Sequence, residues 1–294
     1  MEIIMYLVGA FSDKKFGGNP AGVVPDARGI SPENMQKIAT EINLSETAFV
    51  QKIDEDNYNI RFFTPTQEVD LCGHATIATF YTLAAKGYLS EFEEKSKKYY
   101  QHTKAGKLYV EVYCENGEVQ SVVMEQAKPK LIGTLDEVDE LLDSMNINID
   151  DLGLPYKNIK PQIISTGLPD IMVPIKNKKI LENLTIDYKK VSDLSKKLNV
   201  TGIHAFTIED DQVYTRNFAP LVGINEEAAT GTANGALFYY LRENDIMNEK
   251  QIIIKQGEVL NRPSEILVKI SDIKPDSIEV GGKASIILEG VIHC

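Results

Sequence analysis

A few short stretches of this chain combine residue types that could move a proton with a device that could hold an anion. Glu46 stands in Leu44-Ser45-Glu46-Thr47-Ala48-Phe49-Val50, just ahead of an apolar strand pattern. In a partly dry cleft its pKa is expected to rise, which suits general acid/base work near neutral pH. His74 follows Cys72-Gly73 at the start of a long apolar helical pattern. A helix dipole there favours neutral imidazole, which donates from one nitrogen and accepts at the other. Glu227 precedes Ala228-Ala229-Thr230-Gly231-Thr232, the start of a second such pattern. The first amides of a helix lack partners and carry partial positive charge, so Gly73 and Gly231 mark two ready anion sites. Plainer readings compete with these. Glu46 could be a surface carboxylate, the glycines could serve packing, and Glu68, Asp70, Glu226 and Glu227 could be favourable charge near helix starts.

Other chemistry is less well supported. A helix N-terminus lowers a thiol pKa, which makes Cys72 a conceivable base. A two-thiol racemase needs a second cysteine, and the position matching Cys72 is Thr230. Cys72 therefore reads as a small buried residue. His102, His204 and His293 have no ligand spacing with each other or with cysteine, so no metal site is expected. Residues 17–22, Gly-Gly-Asn-Pro-Ala-Gly, lead into Val23-Val24 rather than a helix, and read as a turn and not a phosphate loop.

The chain contains itself twice. Residues 73–83 match 231–241 in Gly, two Ala, Phe-Tyr and Leu. Upstream, Arg61-x-Phe63-x-Pro65 matches Arg216-x-Phe218-x-Pro220, and Ala48-Phe49 matches Ala205-Phe206, which sets Glu46 against Ile203. Gly18-x-Pro20 with Val24-Pro25 matches Gly167-x-Pro169 with Val173-Pro174. The expected architecture is α+β: two pseudo-symmetric halves, each a mostly antiparallel sheet wrapped around a central buried helix. Residues 1–127 form the first half and 128–282 the second, with the last strand, about 283–294, free to return to the first. The active site is expected in a cleft between the halves. Helices are predicted over 31–41, 73–86, 135–146, 188–198 and 231–244, the second and last apolar almost all round and so buried.

Bulk properties narrow the partners. With 294 residues there is material for two cores. A net charge of −12 argues against nucleic acid or an anionic membrane, both of which need a basic footprint. Three cysteines, Cys72, Cys114 and Cys294, make no disulfide framework. The first residues read as a strand and no apolar stretch is long enough to span a bilayer, so a cytoplasmic protein is expected.

Taken together, Phe16-Gly17-Gly18-Asn19-Pro20-Ala21-Gly22, Asn43-Leu44-Ser45-Glu46-Thr47-Ala48, Arg61-Phe62-Phe63-Thr64-Pro65, Asp70-Leu71-Cys72-Gly73-His74-Ala75 and Ala228-Ala229-Thr230-Gly231-Thr232 resemble the phenazine-biosynthesis isomerase (PhzF-like) family. The resemblance runs from about residue 5 to residue 290. It implies the diaminopimelate-epimerase-like fold, a homodimer, and isomerisation without a cofactor of a small anionic metabolite. It implies Glu46 as the proton-moving carboxylate, His74 and Glu227 as its catalytic companions, and Asn19, Gly73, Gly231 and Thr232 as substrate-binding positions. The chain departs from the family pattern at Glu227, commonly Asp, at Ala228, commonly Pro, and at Thr232, commonly Ser. A racemase or epimerase of amino-acid type, or a non-catalytic small-molecule binder on the same fold, are the alternatives.

Overall fold

The computed structural model describes residues 2–90, 95–272 and 274–293. Cys294 lies outside the described residues. By its internal contacts the chain divides into two units, Met1–Glu125 with Gly281–Cys294, and Gln126–Val280.

In the first unit, β1 (Glu2–Ala10) and β2 (Asn19–Val24) run antiparallel. Gly18, at φ 70°, closes the turn between them, and a Cβ there would lie 2.2 Å from the Ala10 carbonyl oxygen, so only glycine fits. α1 (Pro32–Ile42) starts where the sequence signals it: Ser31 caps it, accepting from the Asn34 amide at 3.3 Å, and Pro32 opens the first turn. Its Met35, Ile38 and Ala39 pack on Ile3, Met5, Val24, Phe49 and Phe63, a core on the outer face of the sheet. β3 (Glu46–Lys52) lies parallel to β2 and antiparallel to β4 (Asn57–Phe63), which also pairs with short β5 (Glu68–Val69). α2 (Gly73–Ala85) then runs along the inner face, against β1, β2 and β3. β6 (Ser96–Thr103) pairs parallel with β4, followed antiparallel by β7 (Gly106–Glu115) and β8 (Glu118–Glu125).

α2 is buried nearly all round because its polar residues are satisfied within the helix. Thr76, Thr79 and Thr82 donate to the carbonyls of Cys72, Ala75 and Ala78, at 2.8, 2.6 and 2.7 Å. Ala75, Ile77, Ala78, Phe80 and Leu83 supply the apolar contacts.

The second unit repeats the plan. β9 (Lys130–Thr134) pairs with β10 (Gln162–Ser165), with α3 (Asp139–Met145) between them in sequence. The helix predicted from residue 135 starts later, because the Leu135 amide donates to the Pro161 carbonyl and prolongs the strand pairing. β11 (Pro169–Pro174) follows, then α4 (Lys178–Glu182), α5 (Tyr188–Leu198) and β12 (Gly202–Glu209), parallel to β11. β13 (Gln212–Ala219), β14 (Ile224–Glu227), α6 (Gly231–Glu243) and β15 (Gln251–Gln256) reproduce the order and directions of β4, β5, α2 and β6. β16 (Ser264–Ile270) and β17 (Ile278–Gly282) complete the run. The final strand, β18 (Ala284–His293), pairs antiparallel with β1 along its whole length, from Glu2↔His293 to Ala10↔Ala284. This is the α+β architecture expected, a mostly antiparallel sheet with a buried helix in each unit. Among the described residues no helix is long and apolar enough to cross a membrane.

The ladders correct one detail of the repeat. Glu46 faces Ala21 while Thr47 faces Phe63; in the second unit Gly202 faces Asp170 while Ile203 faces Phe218. The position equivalent to Glu46 is therefore Gly202, not Ile203. The Ala-Phe match is one step out of register, and a one-residue slip reverses the face. Phe49 lies in the outer core with α1, whereas Phe206 lies edge-on to Tyr240 of α6, ring centroids 5.3 Å apart.

Candidate active site

β3 and α2 bring Glu46 and His74 together. Glu46 is the first residue of β3 and points to the inner face; His74 is in the first turn of α2. His74 Nε2 is 3.1 Å from Glu46 Oε2 and 3.2 Å from Ser45 Oγ. On the other side of the ring, the Asn19 amide nitrogen is 3.2 Å and Cys72 Sγ 3.4 Å from Nδ1. Asn19, His74 and Cys72 are buried, and the Glu46 side chain is 13% exposed. Four residues, at the start of β2, at the start of β3 and just before it, and just before α2, thus surround one imidazole.

The electrostatics reverse two sequence expectations. Burial pushes the Glu46 carboxyl up, but the charge and hydrogen bond of His74 outweigh it, and its pKa falls below the ordinary value. Burial likewise pushes His74 down, yet Cys72 and Glu46 together hold it well above 6.5. Burial first, then the Glu46 charge, pushes the Cys72 thiol up to about 11, so it is a neutral thiol at neutral pH and the Glu46 carboxylate is the charge that keeps His74 protonated. The resting pair is carboxylate and imidazolium, not a raised carboxyl beside neutral imidazole. The helix dipole is a weaker influence than a carboxylate at 3.1 Å. An imidazolium needs an acceptor at Nδ1, and the Asn19 amide supplies one when its oxygen is turned inward, an exchange of O and N that leaves the side-chain shape unchanged.

The second unit holds Glu227 by a different route. Thr230, the residue before α6, donates from Oγ1 to Glu227 Oε2 at 2.7 Å instead of capping the helix. Gln256 Nε2 donates to the Glu227 carbonyl at 2.8 Å, and Gln256 Oε1 accepts from the Thr230 amide at 3.2 Å. Asn234 Nδ2 reaches the same Oε1 at 2.7 Å, and its own Oδ1 is 3.2 Å from His204 Nε2. Asn217 Nδ2 stands 3.2 Å from His204 Nδ1. Burial pushes His204 down to about 4, so it is neutral, with Nε2–H donating to Asn234. This chain of side chains fixes the loop from Glu227 to Gly231. The Thr232 carbonyl accepts from Thr166 Oγ1 at 2.8 Å.

Neither Cys72 nor Thr230 makes a side-chain cap to its helix, so the amides around Gly73 and Gly231 keep their capacity for an anion. The neighbouring acidic residues have other work. Glu68 is held by Arg61 at 2.7 and 2.8 Å and by Lys104 at 2.7 Å, which pulls its carboxyl down to about 2. Glu226 is held by Arg216, twice at 2.8 Å. These two repeat-related Arg–Glu forks brace the segments that lead into α2 and α6. They leave Glu227 as the acidic residue before α6 that is engaged with the Thr230 loop.

Two features escape the sequence reading. The first is Asp170 of β11, facing Gly202. Ile171 and Val173 point into the outer core, so by strand alternation Asp170 points to the α6 side. It is 2% exposed, and its Oδ1 has no hydrogen-bond partner among the described residues. Burial, then the charge of Glu227, pushes its pKa up to about 7 against a smaller pull from the Gly202 amide. The slot filled by Glu46 on β3 in one unit is filled by a carboxyl from the adjacent strand in the other. A side chain at position 202 has no room, since a Cβ would lie 2.0 Å from the Phe218 carbonyl oxygen. The second feature is that Cys72 joins Glu46 and His74, with one ligand-type atom of each within 4.8 Å of the others. Its signal was the Cys-x-His spacing at the start of α2.

The chain matches the phenazine biosynthesis-like protein family over residues 8–290. It is 36% identical to an uncharacterised isomerase of Clostridium acetobutylicum, covering 97% of this chain and 96% of that protein. Among solved structures, a PhzF-family phenazine biosynthesis protein of Bacillus anthracis superposes with a TM-score of 0.86 at 29% identity, covering both chains in full. A hydroxyproline epimerase from Agrobacterium vitis shares the fold, with a TM-score of 0.65 at 14% identity over 99% of this chain and 91% of that one.

Proposed function

The chain belongs to the phenazine biosynthesis-like family, whose relatives carry isomerase names, and we propose that it is a cofactor-independent isomerase that moves a proton on a small carboxylate-bearing metabolite. The observation that carries this reading is the buried Glu46–His74 pair at the start of α2, 3.1 Å apart. Glu46 is the group that takes a proton from carbon and returns it at another position. His74 keeps Glu46 ionised in a dry place, and its positive charge balances the negative charge left on the substrate once Glu46 holds the proton. The uncapped amides at Gly73 bind the substrate carboxylate, which lowers the cost of negative charge developing beside it. Asn19 orients the imidazole. A thiolate mechanism is disfavoured by the buried thiol of Cys72. The protein is proposed to work as a cytoplasmic homodimer.

The test is to identify metabolites that co-purify with the protein by mass spectrometry and to incubate each with the protein in deuterium oxide. The reading expects a carboxylate that gains one deuterium at carbon and gives an isomer of unchanged mass in ordinary water. A ligand that binds and returns without deuterium marks a binding protein instead.

A further inference from the structure

We propose that Glu46, Cys72 and His74 form a binding site for one divalent cation of the zinc class. The donor set is one carboxylate oxygen, one sulfur and one imidazole nitrogen, each within 4.8 Å of the others. Tetrahedral zinc with bonds of about 2.0–2.3 Å places neighbouring ligand atoms roughly 3.3–3.6 Å apart. From His74 Nε2, Glu46 Oε2 is at 3.1 Å and Cys72 Sγ at 4.0 Å. Closing the set on an ion at Nε2 needs the Cys72 side chain to swing by roughly 2 Å, away from Nδ1, where Sγ now lies 3.4 Å off. Sulfur with imidazole selects zinc-like ions over magnesium or calcium.

The surroundings suit a ligated histidine. With Nε2 on the metal, Nδ1–H points at the Asn19 amide, 3.2 Å away, whose oxygen accepts when turned inward. A histidine ligand is ordinarily fixed in this way through its second nitrogen. The positive end of α2 opposes a cation, but carboxylate and thiolate together bring two negative charges, and a helix start favours a thiolate. Binding releases the Cys72 thiol proton and the His74 imidazolium proton to solvent. Three protein ligands leave one position open, as in metal sites that keep an exchangeable ligand. Where Glu46 is the proton-moving group, as proposed above, an occupied site removes that carboxylate from the reaction. Zinc is then an inhibitor; this consequence rests on that reading, whereas the binding itself does not.

The experiment uses the full chain, freed of metal with a chelator and titrated with cobalt(II), whose tetrahedral thiolate complexes absorb strongly in the visible and near ultraviolet. The expected result is one equivalent of cobalt bound with both absorptions, displaced by one equivalent of zinc. Cys72→Ser loses the thiolate-to-cobalt band, Glu46→Gln weakens cobalt binding at least tenfold, Asn19→Ala weakens it by about 10–100-fold, and Cys114→Ser changes nothing. A spectrum of six-coordinate cobalt in the folded wild type overturns the proposal. So does a thiolate band that survives in folded Cys72→Ser, or undiminished affinity in folded Glu46→Gln. Cobalt binding with no inhibition of deuterium exchange contradicts the role of Glu46 and leaves the metal site standing.

Discussion

Replacing Asp170 by Asn removes a charge that the second unit cannot easily accept. The folded-state pKa of Asp170 lies at about 7, against an ordinary 3.8. Each pH unit between the folded and unfolded values is worth about 1.4 kcal/mol. Below pH 3.8 the group is protonated in both states and costs nothing through titration. As pH rises from there, the unfolded chain loses the proton while the folded chain keeps it, so stability falls until about pH 7. The integrated loss is about 4 kcal/mol at the upper limit. Asn keeps the size and the acceptor for the Gly202 amide but cannot ionise. Its amide nitrogen adds a pH-independent cost of about 1–3 kcal/mol if left without an acceptor. The assay is urea unfolding of wild type and Asp170→Asn at several pH values from 4 to 8. The difference in unfolding free energy should move in favour of Asn by a few kcal/mol between pH 4 and 7 and then level off. A difference that stays flat across that range refutes the placement of Asp170 as a buried, protonated carboxyl.

Other expectations follow from single contacts. Arg216 is buried, forks onto Glu226 and donates to the carbonyls of Leu181, Glu182 and Leu184; Arg216→Ala should cost about 3–5 kcal/mol in urea unfolding. Arg61→Ala should cost clearly less, since Arg61 is 27% exposed and Lys104 remains on Glu68; equal losses would contradict the burial argument. Cys72→Ser should keep proton exchange within about tenfold of wild type, and a fall to background in a folded variant would point to a thiol mechanism. A crystal grown in sulfate should show an anion within hydrogen-bond reach of residues 73–74, and the lack of one at that helix start would sink the carboxylate site proposed there.

The central helices are legible in sequence because their apolar residues cover every side and a glycine opens each one. Ser31 and Pro32 make the start of α1 equally plain. β6 is not legible: Ser-Lys-Lys-Tyr-Tyr-Gln-His-Thr reads as polar, yet Tyr99 and Gln101 face inward and are buried. The start of α3 is misplaced because Leu135 fits a helical period as well as it fits the strand end it occupies. Glu46 and His74 are each foreseen as candidate residues, but neither their contact nor their charge states are. Those states depend on a distance that no spacing reports, from residue 46 to residue 74. Asp170 stays hidden because an Asp after Leu168-Pro169 looks like a turn residue, and only the ladder with Gly202 shows that it faces inward. The slip between Ile203 and Gly202 has the same root: residue identity matches at one offset, hydrogen bonding at another.

The claim on which the account turns is that Glu46 moves the proton. The direct measurement is the rate of deuterium entry from solvent into the carbon skeleton of the co-purified carboxylate, for wild type and Glu46→Gln, with ligand affinity measured alongside. Glutamine keeps the shape and a hydrogen bond to His74 but cannot take a proton. The account predicts a fall of about 10²–10⁴ in exchange rate with affinity nearly unchanged. Exchange at the wild-type rate in the folded Gln variant would contradict it.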